Sequence, residues 1–207
     1  MEEKINIIRS WLDTGSIDIF GPPMAGKDTQ GIRLAEILGA KFLSSGIIIR
    51  DMEKQLRKDY TKNGELIPTN LFFEWVLPYL ERPDLSEYPL VLSSIGRWSG
   101  EEDQVMSVAA SAGHPIKAAI ILNVSEAEAE NRFNEAKVLN DRGDRADDKA
   151  IETFYVRLKE FRTKTLPVIQ HYKSLGLLIE VNGHQLREAV FNEMIDKLYT
   201  KAISASK

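Results

Sequence analysis

The stretch Ile17-Asp18-Ile19-Phe20-Gly21-Pro22-Pro23-Met24-Ala25-Gly26-Lys27-Asp28-Thr29 decides the fold of this chain. Residues 17–20 are short and apolar-rich, which favours a strand, while residues 27–38 carry apolar side chains at helical spacing. The two glycines of the intervening loop let backbone N–H groups curl around an anion, and the helix N-terminus adds its dipole. The Lys27 ammonium can reach terminal phosphates. The stretch therefore predicts a loop that binds the phosphates of a nucleotide.

Two details of this loop are unusual. The hydroxyl of Thr29 lies two residues after Lys27 instead of next to it, and Asp28 stands between them. A carboxylate in a first helical turn is favourable to the helix dipole but repels a nearby triphosphate. We therefore expect Asp28 to point away from the nucleotide. The alternative interpretation is a glycine-rich turn with an incidental lysine.

Composition limits the classes of protein that remain possible. A chain of 207 residues fits one domain with insertions, and its net charge of −4 gives no general attraction to nucleic acid. The absence of cysteine excludes disulfides and Cys-ligated metals. No apolar run approaches the length of a membrane span, and the start Met1-Glu2-Glu3-Lys4 does not resemble a signal peptide. We expect a cytoplasmic protein without nucleic-acid or membrane partners.

Short apolar segments alternate with longer helical patterns along the chain, which is typical of a parallel sheet with helices on its faces. A helix is predicted before the first strand, at residues 4–12. Two intervals indicate insertions: a small helical subdomain within 51–85 and a short charged loop at 139–148 that could serve as a lid. The predicted strands are 17–20, 41–43, 90–93, 118–123 and 177–181.

A series of motifs follows the loop in a fixed order. Lys27-Asp28-Thr29-Gln30 is followed by Leu43-Ser44-Ser45-Gly46 with Arg50, then by Gly64-Glu65-Leu66-Ile67-Pro68, Ser94-Ile95-Gly96-Arg97, Arg132, Arg145-Ala146-Asp147-Asp148, Glu152-Thr153 with Arg157, and Val181-Asn182-Gly183. In this order the chain resembles the adenylate kinase family of nucleoside monophosphate kinases over about residues 17–200. None of the later motifs is specific for this family alone, but their common order after a phosphate loop is.

The resemblance implies a three-layer α/β P-loop kinase with a five-stranded parallel sheet, an acceptor-binding helical subdomain at 46–85 and a short lid at 138–148. It implies transfer of the terminal phosphoryl group of ATP to a nucleoside monophosphate, AMP by preference, with Mg²⁺ as cofactor and Thr29 as its protein ligand. We expect a single domain over 1–207 that acts as a monomer.

The resemblance also assigns roles to the cations. Arg50 and Arg97 would hold the acceptor phosphate, and Lys27 would follow the transferring group. Arg145 and Arg157 would reach the phosphates being transferred, and Arg132 would stack on the donor adenine. Arginine suits such roles because its planar fork binds phosphate bidentately and stays charged. The implied ATP site comprises Gly21, Met24, Ala25, Gly26, Lys27, Asp28, Thr29 and Arg132. The implied acceptor site comprises Ser45, Gly46, Arg50, Ile67, Arg97, Glu101 and Gln104.

The chain departs from the family at the acceptor base. The family has a glutamine four residues after the arginine that corresponds to Arg97, where this chain has Glu101. An ionised carboxylate only accepts hydrogen bonds, which suits the N–H and amine donors of guanine better than the ring nitrogen of adenine. Alternatively, the segment 98–100 shifts the register, so that Gln104 reads adenine and Glu101 caps a helix.

Two carboxylates that organise Mg²⁺-bound water in the family are also missing, at Ile47 and near Ser93, and Asp28, Asp147 or Asp148 are candidates to compensate. Two rival functions therefore stay open: a kinase for UMP, CMP or GMP, and a nucleotide-binding protein with little or no turnover.

Overall fold

A five-stranded, all-parallel sheet forms the centre of the computed structural model, which describes residues 1–139 and 150–205. The strand order is β2-β3-β1-β4-β5, so the strand that precedes the glycine-rich loop lies in the middle of the sheet. Crossovers to both sides of β1 open a crevice at the carboxyl ends of the strands, where α/β proteins bind ligands. The strands are β1 (Ser16–Phe20), β2 (Lys41–Ser44), β3 (Leu90–Ser93), β4 (Ile116–Asn123) and β5 (Leu178–Asn182).

Helices cover both faces of the sheet. Two short 3₁₀ turns, Leu77–Tyr79 and Pro83–Leu85, lead into β3, and a π-helical turn at Phe161–Thr165 joins two of the helices. The helices are α1 (Glu2–Leu12), α2 (Lys27–Leu38), α3 (Ser45–Leu56), α4 (Thr69–Trp75), α5 (Glu101–Ser111), α6 (Glu126–Leu139), α7 (Ile151–Glu160), α8 (Leu166–Ser174) and α9 (Arg187–Ala205). No helix in the described ranges is long and apolar enough to cross a membrane.

The central strand separates two hydrophobic cores. Ile17 and Ile19 pack with buried residues of α1, α2 and α9 on one face. Phe20 packs on the other face with α8 and with apolar residues of the segment 46–85, such as Phe72. Because both faces are covered, β1 is buried along its whole length. Asp18 is also fully buried and interrupts its otherwise apolar central segment.

The α/β fold predicted from the sequence is confirmed. Each predicted strand overlaps an observed one and differs at its ends by at most two residues. The first helix begins at Glu2, two residues earlier than predicted. The division into one domain with an acceptor subdomain and a lid stays a prediction, and most of the predicted lid, residues 140–148, lies outside the described residues.

Candidate active site

The glycine-rich loop curls at the carboxyl end of β1. Met24 and Gly26 adopt left-handed backbone conformations, with φ of 66° and 87°, and α2 begins directly afterwards at Lys27. At Gly21 a side chain is excluded, because an added Cβ would lie 2.9 Å from the Cβ of Ala25. The Lys27 ammonium folds back and donates to the carbonyl oxygens of Gly21 and Pro22 at 2.9 and 3.0 Å. The loop therefore has a ring shape with a cation at its mouth, which suits a phosphate group.

A cleft of about 500 Å³ opens in front of this loop. Its size is that of an ordinary small-molecule site. It is lined by residues of the loop, of the start of α3, of the turn after β3 and of α7. Predicted site residues that line it are Gly21, Met24, Gly26, Lys27, Asp28, Thr29, Ser45, Gly46, Arg50, Arg97 and Arg157.

Four of the predicted cations, from four different parts of the fold, line the cleft. They are Lys27 of α2, Arg50 of α3, Arg97 after β3 and Arg157 of α7. Burial, with the like charges of Arg157 and Arg50, lowers the pKa of Arg97 to about 10, whereas Glu101 and Asp28 act in the opposite direction. So much positive charge in a partly desolvated cleft is stabilised by a polyanion.

Asp28 is turned toward β3. Its Oδ1 accepts a hydrogen bond of 2.7 Å from the Ser93 hydroxyl at the end of that strand, while the residue still lines the cleft. Thr29 presents a hydroxyl in the same first turn of α2. Magnesium in such sites takes one or two protein oxygens and completes its shell with phosphate and water, so this donor set fits Mg²⁺. Among residues 1–139 and 150–205, no three Asp, Glu, His or Cys side chains cluster as a metal cage.

Glu101 begins α5 and lies against a second, much smaller cavity of about 10 Å³. Its Oε2 accepts the backbone N–H groups of Arg97 and Trp98 at 2.9 and 3.0 Å, and its Oε1 accepts from the Thr69 hydroxyl at 2.8 Å. The carboxylate thus holds the turn that carries Arg97 and lines the small cavity at the same time. Ile67, Ser45 and Arg97 also line this cavity.

Three predicted site residues lie elsewhere in the described structure. Gln104 is exposed on α5 and lines neither cavity, so the geometry does not bring it to the acceptor side. Ala25 belongs to the loop but is buried and does not line the cleft. Arg132 donates to Glu128 and to the Gly183 carbonyl, at 2.8 and 2.7 Å, and does not line the main cleft. Arg145 falls outside the described residues.

The cleft also contains residues that the sequence analysis missed. Arg187 is the first residue of α9 and lines the cleft. A cation at a helix N-terminus is unfavourable to the dipole, and this could have indicated a role with an anion. Glu160 accepts from the Leu66 backbone N–H at 3.3 Å and thereby joins the segment 46–85 to α7. Phe133 and Phe154 form an aromatic pair on the wall, with ring centroids 4.9 Å apart.

Comparisons with known proteins agree with this geometry, although no family model matches the chain. The adenylate kinase of Thermus thermophilus is 31% identical over 180 residues, which cover 83% of this chain and 91% of that protein. The adenylate kinase of Micrococcus luteus is 28% identical over 188 residues, covering 88% and 89%. A gluconokinase from Sinorhizobium meliloti superposes with a TM-score of 0.61 at 16% identity, covering 93% of this chain and 96% of that one. This last likeness concerns the fold alone.

Proposed function

Because this chain belongs to the adenylate kinase family, we propose that it transfers the γ-phosphoryl group of ATP to a nucleoside monophosphate, with AMP as the preferred acceptor. The observation that carries the proposal is the convergence of Lys27, Arg50, Arg97 and Arg157 on one cleft beside a phosphate-binding loop.

The proposed chemistry depends on positioning and on charge. Phosphoryl transfer brings two polyanions together, and catalysis comes from alignment and from neutralising charge on the transferring oxygens. Lys27, at the mouth of the loop, follows the transferring group. Arg97, in the turn after β3, and Arg50, on α3, hold the acceptor phosphate. Arg157, on α7, contacts the phosphoryl group that is being transferred. Arg145 is proposed to assist it, from its motif alone.

Magnesium enters the proposal together with ATP. Bound to the phosphates, it would neutralise part of the charge that develops during transfer. Thr29 and Asp28 are the protein groups that would hold it. Ser93 donates to Asp28 and so orients the carboxylate.

A second candidate acceptor is GMP. Glu101 lies on the small cavity beside Arg97, and within the described ranges no glutamine side chain lines that cavity. A carboxylate accepts from both donors on the guanine edge. The cavity of about 10 Å³ does not accommodate a base. Base binding therefore requires this cavity to widen.

A coupled assay with ATP and Mg²⁺ tests the proposal. AMP, GMP, UMP and CMP serve as acceptors, and gluconate is included because a gluconokinase shares the fold. We expect AMP or GMP to give the highest kcat/KM. Transfer to gluconate alone would contradict the proposal. Equilibrium binding of ATP and AMP without any product would support the rival of a nucleotide-binding protein instead.

A further inference from the structure

Asp18 is a buried carboxylate that the proposed reaction does not use. It lies in the middle of the central strand, and its exposure is 0%. Strands covered on both faces are normally apolar, and burying a charge without a partner costs several kcal/mol. A side chain that is so expensive at this position indicates a specific role.

The partner of Asp18 is the turn that carries Arg97. Both carboxylate oxygens accept the backbone N–H of Ile95, at 3.4 and 3.2 Å. The neighbouring Ser94 N–H donates to the Ile19 carbonyl at 3.1 Å, so two successive positions of β1 hold two successive positions of the turn. Ile95 is itself buried, and without Asp18 its N–H would lose its acceptor.

The turn needs this support because its backbone is strained. Ser94 has φ of 55°, a left-handed conformation that a residue with a Cβ rarely adopts, and Gly96 has φ of 81°. The Ser45 hydroxyl donates to the Ser94 carbonyl at 2.7 Å, and Thr165 donates to the Arg97 carbonyl at 3.2 Å. Each of these bonds helps to fix the direction in which Arg97 enters the cleft.

Asp18 also interacts electrostatically with Arg97. Burial raises the pKa of Asp18 to about 8, while the backbone N–H groups and the positive charge of Arg97 act against this rise. Tyr172 of α8 also lies near Asp18. The pKa of Tyr172 is raised mainly by burial, and further by the negative charges of Asp18 and of Glu102 and Asp103 on α5. Arg97 is therefore a nearby cation that favours the ionised form of Asp18, whereas burial disfavours it.

We propose that Asp18 is a positioning residue that anchors the turn carrying Arg97 and that its ionisation weakens binding of the acceptor phosphate. This inference rests on the proposed function of Arg97. The negative charges of Asp18 and of the phosphate would both be attracted to Arg97, and they repel each other. By linkage, a phosphate that favours protonated Asp18 binds less tightly once Asp18 has lost its proton.

Steady-state kinetics of three variants test the role in acceptor binding. Asp18→Ala removes the acceptor of the Ile95 N–H, and Asp18→Asn keeps an oxygen but removes the charge. Ser16→Ala is the matched control, because Ser16 is a buried polar residue of the same strand that donates to the His114 carbonyl at 2.9 Å, at the other end of β1.

We expect Asp18→Ala to raise the KM for AMP on the order of tenfold, the worth of one buried hydrogen bond, and to leave the KM for ATP nearly unchanged. Asp18→Asn should restore most of this loss at pH 7. We expect the KM of the wild type for AMP to rise between pH 7 and 9, and Asp18→Asn should abolish this rise. The phosphate itself does not titrate in this range, because its second ionisation lies below pH 7. Equal changes of both KM values, or the same AMP effect in Ser16→Ala, would overturn the proposal.

A second measurement does not depend on turnover. In the ligand-free protein, the Ile95 amide resonance should titrate with a midpoint near the Asp18 pKa of about 8, and it should not titrate in Asp18→Asn. An Ile95 resonance that is flat from pH 6.5 to 9.5 would overturn the inference even in an active enzyme. If only the proposed function is wrong, the Ile95 amide resonance should still titrate, although the protein transfers no phosphoryl group.

Discussion

Lys27 and Asp28 are neighbours in the sequence that turn to different partners. The ammonium of Lys27 bonds to carbonyls of the glycine-rich loop, and the carboxylate of Asp28 accepts from Ser93 on β3. Successive side chains on a helix diverge by about 100°, so a cation and an anion in the first turn can take different partners. In the proposed reaction, the cation acts on the phosphates and the carboxylate on the metal that accompanies them.

At Lys27, substitution by Met should abolish transfer and leave the fold intact. The Lys27 charge serves the phosphates, and loss of one preorganised donor typically reduces kcat by about a hundredfold to a thousandfold. Circular dichroism and the melting temperature should stay close to those of the wild type. Lys54→Met, on the exposed side of α3, is the control and should retain full activity. Wild-type activity in Lys27→Met would rule out the role of the phosphate loop.

At Asp28, substitution by Asn should change how ATP binding depends on magnesium. The amide oxygen can still accept from Ser93, but the negative charge is gone. ATP without metal should bind more tightly because a repulsion is removed, while the gain in affinity on adding Mg²⁺ should become several-fold smaller. Calorimetric titration of ATP with and without Mg²⁺ measures both changes. If both affinities change by the same factor, Asp28 does not interact with the metal.

At the scale of elements, the start of α5 contacts both the turn that carries Arg97 and helix α4. One carboxylate oxygen of Glu101 accepts the backbone N–H groups of Arg97 and Trp98, and the other accepts from the Thr69 hydroxyl of α4. Helix α4 belongs to the predicted acceptor subdomain. The Glu101 side chain therefore links this subdomain to the turn that carries Arg97.

The base preference can be tested at this helix start. Glu101→Gln should shift relative kcat/KM from GMP toward AMP, by the ~1–3 kcal/mol typical of one hydrogen-bonding mismatch. Gln104→Ala, at an exposed position of the same helix, should leave the ratio unchanged. An unaltered ratio in Glu101→Gln would exclude base reading by Glu101. Loss of AMP use in Gln104→Ala would instead support the shifted register.

The sequence predicted the elements better than the site. Strands β1 and β3 are apolar runs next to turn-forming residues, and such local signals locate an element within one or two positions. The interaction of Asp28 with Ser93 joins residues 65 positions apart and has no local signal. Likewise, an aspartate in an apolar run looks like a surface residue in the sequence. Its burial follows from the central place of β1 in the sheet, and its contact with Ile95 follows from the neighbouring position of β3.

At the scale of the whole molecule, charge is distributed unevenly. The chain carries a net charge of −4, yet its main cleft is lined by cations of α2, α3, the turn after β3, α7 and α9. Such a local concentration of positive charge attracts small polyanions. The sheet places the cleft at the carboxyl ends of its central strands. One titratable side chain, Asp18, is fully buried in the central strand.

The buried Asp18 therefore makes global stability depend on pH. Its pKa is about 8 in the folded protein, against the ordinary aspartate value of 3.8, so between these pH values the folded state retains a proton that the unfolded state has lost. Stability is then fully present at low pH and decreases as pH rises toward 8, by up to about 1.4 kcal/mol per pH unit. Arg97, with a pKa lowered to about 10, titrates above this range. Urea unfolding from pH 5.5 to 8 should show a falling free energy of unfolding in the wild type and in Ser16→Ala, and a flatter dependence in Asp18→Asn. Parallel curves for the wild type and Asp18→Asn would show that Asp18 is already ionised at pH 5.5 in the folded protein.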